Sequence, residues 1–191
     1  MKIIAYRKQF LADHSSTNYL FYSSKELTQK SIDEVSKLSS HVDVDEHKAE
    51  ITYNGEWADL DNKRKLKFLK HFSVCVRESY DWWDMDIVLD KEKVAELELP
   101  EKYAECDGES SLEFTAQKDS LILWFKGFHL DYSSLKGMEE LAELGIKIQK
   151  EIYKGKLDAI DVMANYCIGE PKLKAKLSPA AKELYSILES I

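Results

Sequence analysis

Between positions 74 and 89 the apolar residues change parity. Val74 and Val76 put the hydrophobic face on even numbers, whereas Trp83, Met85, Ile87 and Leu89 put it on odd numbers. Side chains alternate with period two along a strand, so one continuous strand cannot bury both sets on the same side. A turn or bulge is therefore predicted within 78-ESYD-81, with a strand after it. That strand should carry Trp83, Met85, Ile87 and Leu89 inward. Asp84, Asp86 and Asp90 should then face solvent beside Trp82 and Val88.

Other stretches also read as paired strands. IIAYRKQF and NYLFY flank the polar 14-HSST-17, which predicts a hairpin over the first 22 residues. In 49-AEITYNGEW-57, Ala49, Ile51 and Tyr53 alternate with polar residues, and Asn54-Gly55 is a strong hairpin signal. A further hairpin is expected from 112-LEFTAQ-117 and 121-LILWFKGF-128, joined through Lys118-Asp119. Residues 91–110, punctuated by Pro100, look irregular.

Helical periodicity takes over elsewhere. Leu27, Ile32, Val35 and Leu38 form one stripe, with a start at either Ser24 or Ser31. Asp61 is a candidate N-cap for 62-NKRKLKFLKHF-72, which places Leu66, Leu69 and Phe72 together. The clearest helix is 134–153, with Leu135, Met138, Leu141, Ala142, Ile148 and Ile152 at helical spacing, and 157–167 follows it. After the break at Gly169-Glu170-Pro171, Ser178-Pro179 opens a last amphipathic helix through Ile191. The expected fold is α+β, a mainly antiparallel sheet built from hairpins with helices packed on one face. Residues 1–168 form the domain, and 169–191 a linker and C-terminal helix. That helix either docks on the domain or pairs with a second copy, giving a monomer or a homodimer.

Composition narrows the function more by exclusion than by support. A chain of 191 residues with 44% hydrophobic content can bury its own core without metal or disulfide staples. Cys75, Cys106 and Cys167 are odd in number and far apart, which favours free thiols in a reducing compartment. No apolar run approaches the roughly 20 residues that cross a bilayer. Charge returns by Arg7, unlike a signal peptide, so a cytoplasmic protein is expected. The net charge is −8, and only three of the 27 basic residues are arginines, which disfavours membranes and sequence-specific nucleic-acid readout. Phosphate-binding glycine loops, HExxH, GxSxG, paired CxxC and EF-hand motifs are all absent, so no cofactor is expected.

Four clusters could carry chemistry. His41, Asp43, Asp45 and His47 would line one face of an extended strand about 7 Å apart, and such ligands suit zinc, iron or manganese. The same parity leads into Ala49 and Ile51, however, so a turn at Asp45-Glu46-His47 is the competing reading. Asp84 and Asp86 form a carboxylate pair, of use in metal binding or acid–base work if not merely solvated. Acid-x-lysine triplets, the usual companions of such a pair in nucleases, occur at 46–48 and 61–63 but are common by chance. Lys63, Arg64, Lys65, Lys67 and Lys70 concentrate positive charge on one helix. Finally, Tyr80, Trp82, Asp84 and Asp86 have the profile of an aromatic interface anchor with a carboxylate rim.

The function expected from these features is protein–protein binding without catalysis, in the manner of an inhibitor, immunity protein or regulatory subunit, with a basic partner. The alternative is a metal-dependent phosphoester hydrolase using Asp84, Asp86 and a histidine from 41–47. A weaker alternative is nucleic-acid contact through helix 62–72.

Overall fold

In the computed structural model, which describes residues 16–54, 60–80, 82–103, 109–130, 137–169 and 176–188, seven strands form one antiparallel sheet. The chain runs through β1 (Ser16–Tyr22), α1 (Gln29–Val35), β2 (Val42–Val44), β3 (Lys48–Asn54), α2 (Asn62–Phe68), β4 (Val74–Ser79) and β5 (Trp82–Asp90). Two short helices, α3 (Lys91–Val94) and α4 (Leu99–Lys102), precede β6 (Ser111–Ala116) and β7 (Ser120–Phe128). Three longer helices close the chain: α5 (Met138–Ile152), α6 (Asp158–Cys167) and α7 (Pro179–Ile187). The strand order is β2-β3-β1-β4-β5-β7-β6, the α+β arrangement the sequence predicts.

The parity change at 78–81 resolves into the β4–β5 hairpin, in which Ser79 pairs with Trp82 and Glu78 with Trp83. Val74 and Val76 then join Trp83, Met85, Ile87 and Leu89 on one face, all fully buried. Helices α5, α6 and α7 cover that face. Where α5 crosses the sheet it comes so close that a Cβ on Gly145 would lie 2.8 Å from Val74 Cγ1. The C-terminal helix belongs to this same core through Ala180, Ala181, Leu184 and Ile187. Ser178 caps it, and Glu151 of α5 accepts hydrogen bonds from Ser178 Oγ and from Ala180 N (3.2 Å). Its apolar stripe is therefore spent within its own chain.

The other face of the sheet is apolar too. Tyr19, Phe21, Ala49, Ile51, Cys75, Ile122 and Trp124 form a second buried cluster with Val35 of α1 and Phe68, Leu69 and Phe72 in and after α2. Phe21 stacks on Phe68 with ring centroids 4.6 Å apart. The three long helices lie on one face as predicted, and α1 and α2 cover much of the second. This second layer explains most departures from the sequence reading.

Several local expectations change. Residues 1–15 of the predicted N-terminal hairpin lie outside the described residues, but β1 pairs along its length with β3 and β4, so both of its edges are taken by other strands. Gly55 is also outside them. Asn54 ends β3, yet the next strand in sequence pairs with β1 and β5, and a helix rather than a hairpin follows. The cap of α1 is Thr28, whose hydroxyl accepts from Ser31 N, so Ser31 sits inside the first turn instead of starting it. Residues 91–102 are short helical turns rather than irregular chain. The remaining hairpin, β6–β7, and the Asp61 cap of α2 form as predicted.

Candidate partner-binding site

The tip of the β4–β5 hairpin contains only Tyr80 and Asp81 between paired strands, and Asp81 lies outside the described residues. Two-residue hairpin turns of this kind favour positive φ, normally supplied by glycine or asparagine. Here Tyr80 adopts φ 58, an uncommon left-handed conformation for a bulky residue. The hairpin base is braced by a 3.0 Å hydrogen bond between Thr17 Oγ1 and Ser79 Oγ. Tyr80 is 42% exposed and Trp82 36% exposed, against complete burial of Trp83 next door. The Trp82 ring rests on His129, with centroids 4.4 Å apart. Of the other tryptophans, Trp124 is buried and Trp57 lies outside the described residues.

The two aspartates predicted to rim this patch do not do so. Asp84 turns back into the structure, where Oδ2 accepts from Arg77 (3.2 Å) and Oδ1 accepts from Gly127 N (2.9 Å). The second bond explains its position: β7 carries an extra residue opposite Trp83–Met85, and Gly127, at φ 66, is the kink of that bulge. Asp84 is therefore a cap for the bulge. Asp86 is fully buried, opposite Cys75 on β4 and Trp124 on β7, because the second apolar layer covers it.

Lys65 supplies the counter-charge to Asp86. It was expected on the basic surface, but it is buried and forms an ion pair with Asp86 Oδ2. Its ammonium also lies 4.9 Å from the centre of the Trp124 ring. Asp86 Oδ1 has no hydrogen-bond partner among the described residues. Burial raises the Asp86 pKa to about 6, with Lys65 only partly offsetting it. Burial alone would lower the Lys65 pKa, but the facing carboxylate outweighs it and raises the value. Burial pushes the Cys75 thiol up as well. Both shifts favour the protonated amine and the protonated thiol, which are poor nucleophiles. A signal for the burial of Lys65 is present in the sequence: Lys65, Phe68, Leu69 and Phe72 have the i, i+3, i+4, i+7 spacing of one apolar helical stripe, although the helix itself ends at Phe68.

Lys63, Arg64 and Lys67 of α2, and Lys70 in the turn after it, are exposed, with Arg64 paired to Asp61. The basic surface is thus smaller than predicted.

The His41–His47 cluster is divided by a turn. Asp45 Oδ1 accepts from His47 N (2.7 Å) and Lys48 N (2.8 Å), which closes the β2–β3 hairpin. His41 packs edge-on against Tyr53, and the His47 ring reaches Ser23 O at 3.3 Å. Among the described residues no three histidine, cysteine or acidic side chains converge as a metal site. Strands β1 and β4 also separate this hairpin from Asp84 and Asp86 on β5, so the residues of the predicted hydrolase site are not brought together.

A feature absent from the sequence reading lies at the same end of the sheet as Tyr80. Helix α5 leaves part of the sheet uncovered, and the cleft between them has a volume of about 660 Å³. Its floor is Asn18, Glu50, Thr52 and Glu78, and the first turns of α5 bring Glu139, Glu140 and Glu143 to its wall. Thr52 Oγ1 donates to Asn18 Oδ1 (2.8 Å) and Asn18 Nδ2 to Glu78 Oε2 (3.3 Å), which orders the floor. At its edge, Lys48 Nζ bridges Glu139 (2.5 Å) on the wall and Glu50 (3.0 Å) on the floor. The hydrogen bond that Lys48 donates to Glu139, then that to Glu50, raises its pKa above the usual lysine range.

No helix among the described residues is long and apolar enough to cross a membrane. Compared with known protein families, curated proteins and solved structures, the chain has no significant match in any of the three.

Proposed function

We propose that this protein acts by binding another protein through the sheet end that presents Tyr80 and Trp82. The observation that carries the reading is the β4–β5 tip, where two large aromatics, Tyr80 and Trp82, are exposed and Tyr80 holds a left-handed backbone. Strained conformations persist where the surrounding structure enforces them, and they cluster at functional positions. Tyrosine and tryptophan are the side chains most enriched at interface hot spots, because they bury a large area for few rotatable bonds. Asp84 and Asp86 do not rim these aromatics as the sequence suggested, since Asp84 caps the β7 bulge and Asp86 is buried. The overall charge of −8 favours a basic partner and speeds the encounter with one.

A photo-crosslinking residue at position 82 tests this reading in an extract of the source cells. The control is the same residue at position 185, since Tyr185 on α7 is comparably exposed. A discrete adduct from position 82 alone, lost on Tyr80→Ala, is the expected result. No adduct, or the same adducts from both positions, refutes the proposal.

A further inference from the structure

We infer that the open edge of β6 pairs with β6 of a second copy of this chain, joining the two sheets around a two-fold axis at Phe114. This surface is separate from the Tyr80–Trp82 tip. The sheet ends in two edge strands, β2 and β6. Edge strands present unpaired backbone groups, and proteins usually blunt them by shortness, lysine, proline or a bulge. β2 is blunted, since it has three residues and the middle one is the exposed Asp43. β6 has six residues, SLEFTA, with neither lysine nor proline. Its register against β7 runs without a shift, and the bulge of β7 lies on the β5 side. The charge of Glu113 is already met by Lys126 Nζ of β7 at 3.0 Å.

The ladder decides which backbone groups are free. Gln117 N donates to Ser120 O (2.8 Å), so that pair closes the hairpin. Bonded pairs then recur at every second residue, as Thr115–Ile122, Glu113–Trp124 and Ser111–Lys126. Leu112, Phe114 and Ala116 therefore turn their N–H and C=O groups away from β7, and among the described residues nothing pairs with them there. A second copy running antiparallel can use these groups with Phe114 opposite Phe114 and Leu112 opposite Ala116, each pair exchanging both bonds. The side chains agree with that register. Phe114, half-buried against Tyr103, gains its own copy as a cross-strand aromatic partner. Glu113 falls opposite Thr115, so no like charges meet. Moving the axis to Glu113 would set two carboxylates face to face, and moving it to Thr115 would shorten the ladder. One register thus satisfies the strand best, and it is symmetric.

Sedimentation velocity of the full chain, from about 1 to about 300 μM, tests the inference. A monomer–dimer equilibrium with a Kd of about 10–100 μM is expected, because one strand pair buries less than a standard interface. Residue 114 lies on the axis, so Phe114→Lys and Phe114→Glu should each raise the Kd at least about ten-fold by self-repulsion. Their equimolar mixture should restore the dimer. Ala116→Pro removes one outward N–H without touching the β7 ladder, and it should weaken the dimer by a similar factor with an unchanged circular dichroism spectrum. Trp82→Ala should leave the equilibrium unaltered, which separates this surface from the aromatic tip. Three results overturn the inference. The first is a parent that stays monomeric across the range. The second is a dimer that survives Ala116→Pro, or charge variants that keep the parent's spectrum and yet fail to combine. The third is a dimer lost on Trp82→Ala, which would place the contact between copies at the tip.

Discussion

Replacing Lys65 with methionine should destabilise the protein, and removing Asp86 as well should reverse the loss. The pair sits in the apolar layer under α2, where Lys65 and Asp86 are 5% and 0% exposed. Withdrawing two ions from water at such a site costs several kcal/mol each, and their attraction rarely does more than offset it. At Asp86 burial outweighs the facing ammonium and raises the pKa to about 6. Lys65→Met leaves that carboxylate with no counter-charge and should cost about 3 kcal/mol. Asp86→Asn should be the milder single change, because the raised pKa means that the fold prefers a neutral group there. The retained ammonium also still faces the Trp124 ring. The double variant Lys65→Met/Asp86→Leu should lie within about 1 kcal/mol of the parent or above it. Urea unfolding of all four proteins at pH 7 measures the cycle. If Asp86→Asn proves costlier than Lys65→Met, or the double change is as damaging as the worse single, the pair is a net source of stability and the reasoning fails.

The same carboxylate predicts a pH dependence of unusual sign. Its native pKa of about 6 lies above the ordinary 3.8, so the native state holds a proton over that range which the unfolded chain has released. Its contribution is full below about pH 4 and is lost as pH rises through 6, roughly 3 kcal/mol in all. At Asp45 and Glu113 burial acts in the same upward direction, but hydrogen bonds outweigh it and leave both pKa values low, so these groups lose stability in acid. The useful quantity is therefore the difference between the parent and Asp86→Asn. It should move in the parent's favour from pH 7 to pH 5, and a flat difference would contradict the assignment. Gly127→Ala should cost about 2–4 kcal/mol by thermal or urea unfolding, since a Cβ there would lie 2.3 Å from Glu109 O at a positive φ. Glu151→Ala should cost about 1–2 kcal/mol and accelerate amide exchange selectively in α7, whose first turn it holds. Trp83→Ala should cost about 3–5 kcal/mol in the same unfolding assay, as for any large aromatic removed from a closed core.

Alternation and caps carried most of the architecture. The parity change located the β4–β5 turn to within its four residues, Asp61 and Ser178 cap the helices they were expected to cap, and the β6–β7 hairpin forms across Lys118-Asp119. These features are local, and each is determined by a few neighbouring residues. What could not be read in this way was which strands lie beside one another. NYLFY reads as half of a hairpin, but it is an interior strand of the sheet, buried on both faces. Its alternation is accordingly incomplete: Tyr19, Leu20 and Phe21 are consecutive and all buried, the mark of a two-sided strand.

The misplaced site follows from that one error. With a single apolar face, polar residues on the other side of β5 belong in water, and Asp84, Asp86 and Trp82 become an exposed surface. With two apolar faces, the same residues need partners, and the structure supplies them from elsewhere in sequence: Lys65 from α2, and Arg77 and Gly127 from the flanking strands. Only Trp82, near the open end of β5, still reaches solvent. The acidic cleft was invisible for a related reason, because Glu50, Glu78 and Glu143 are far apart in the chain and meet only through strand order and the overhang of α5. A carboxylate next to a tryptophan in sequence is therefore weak evidence of a shared surface.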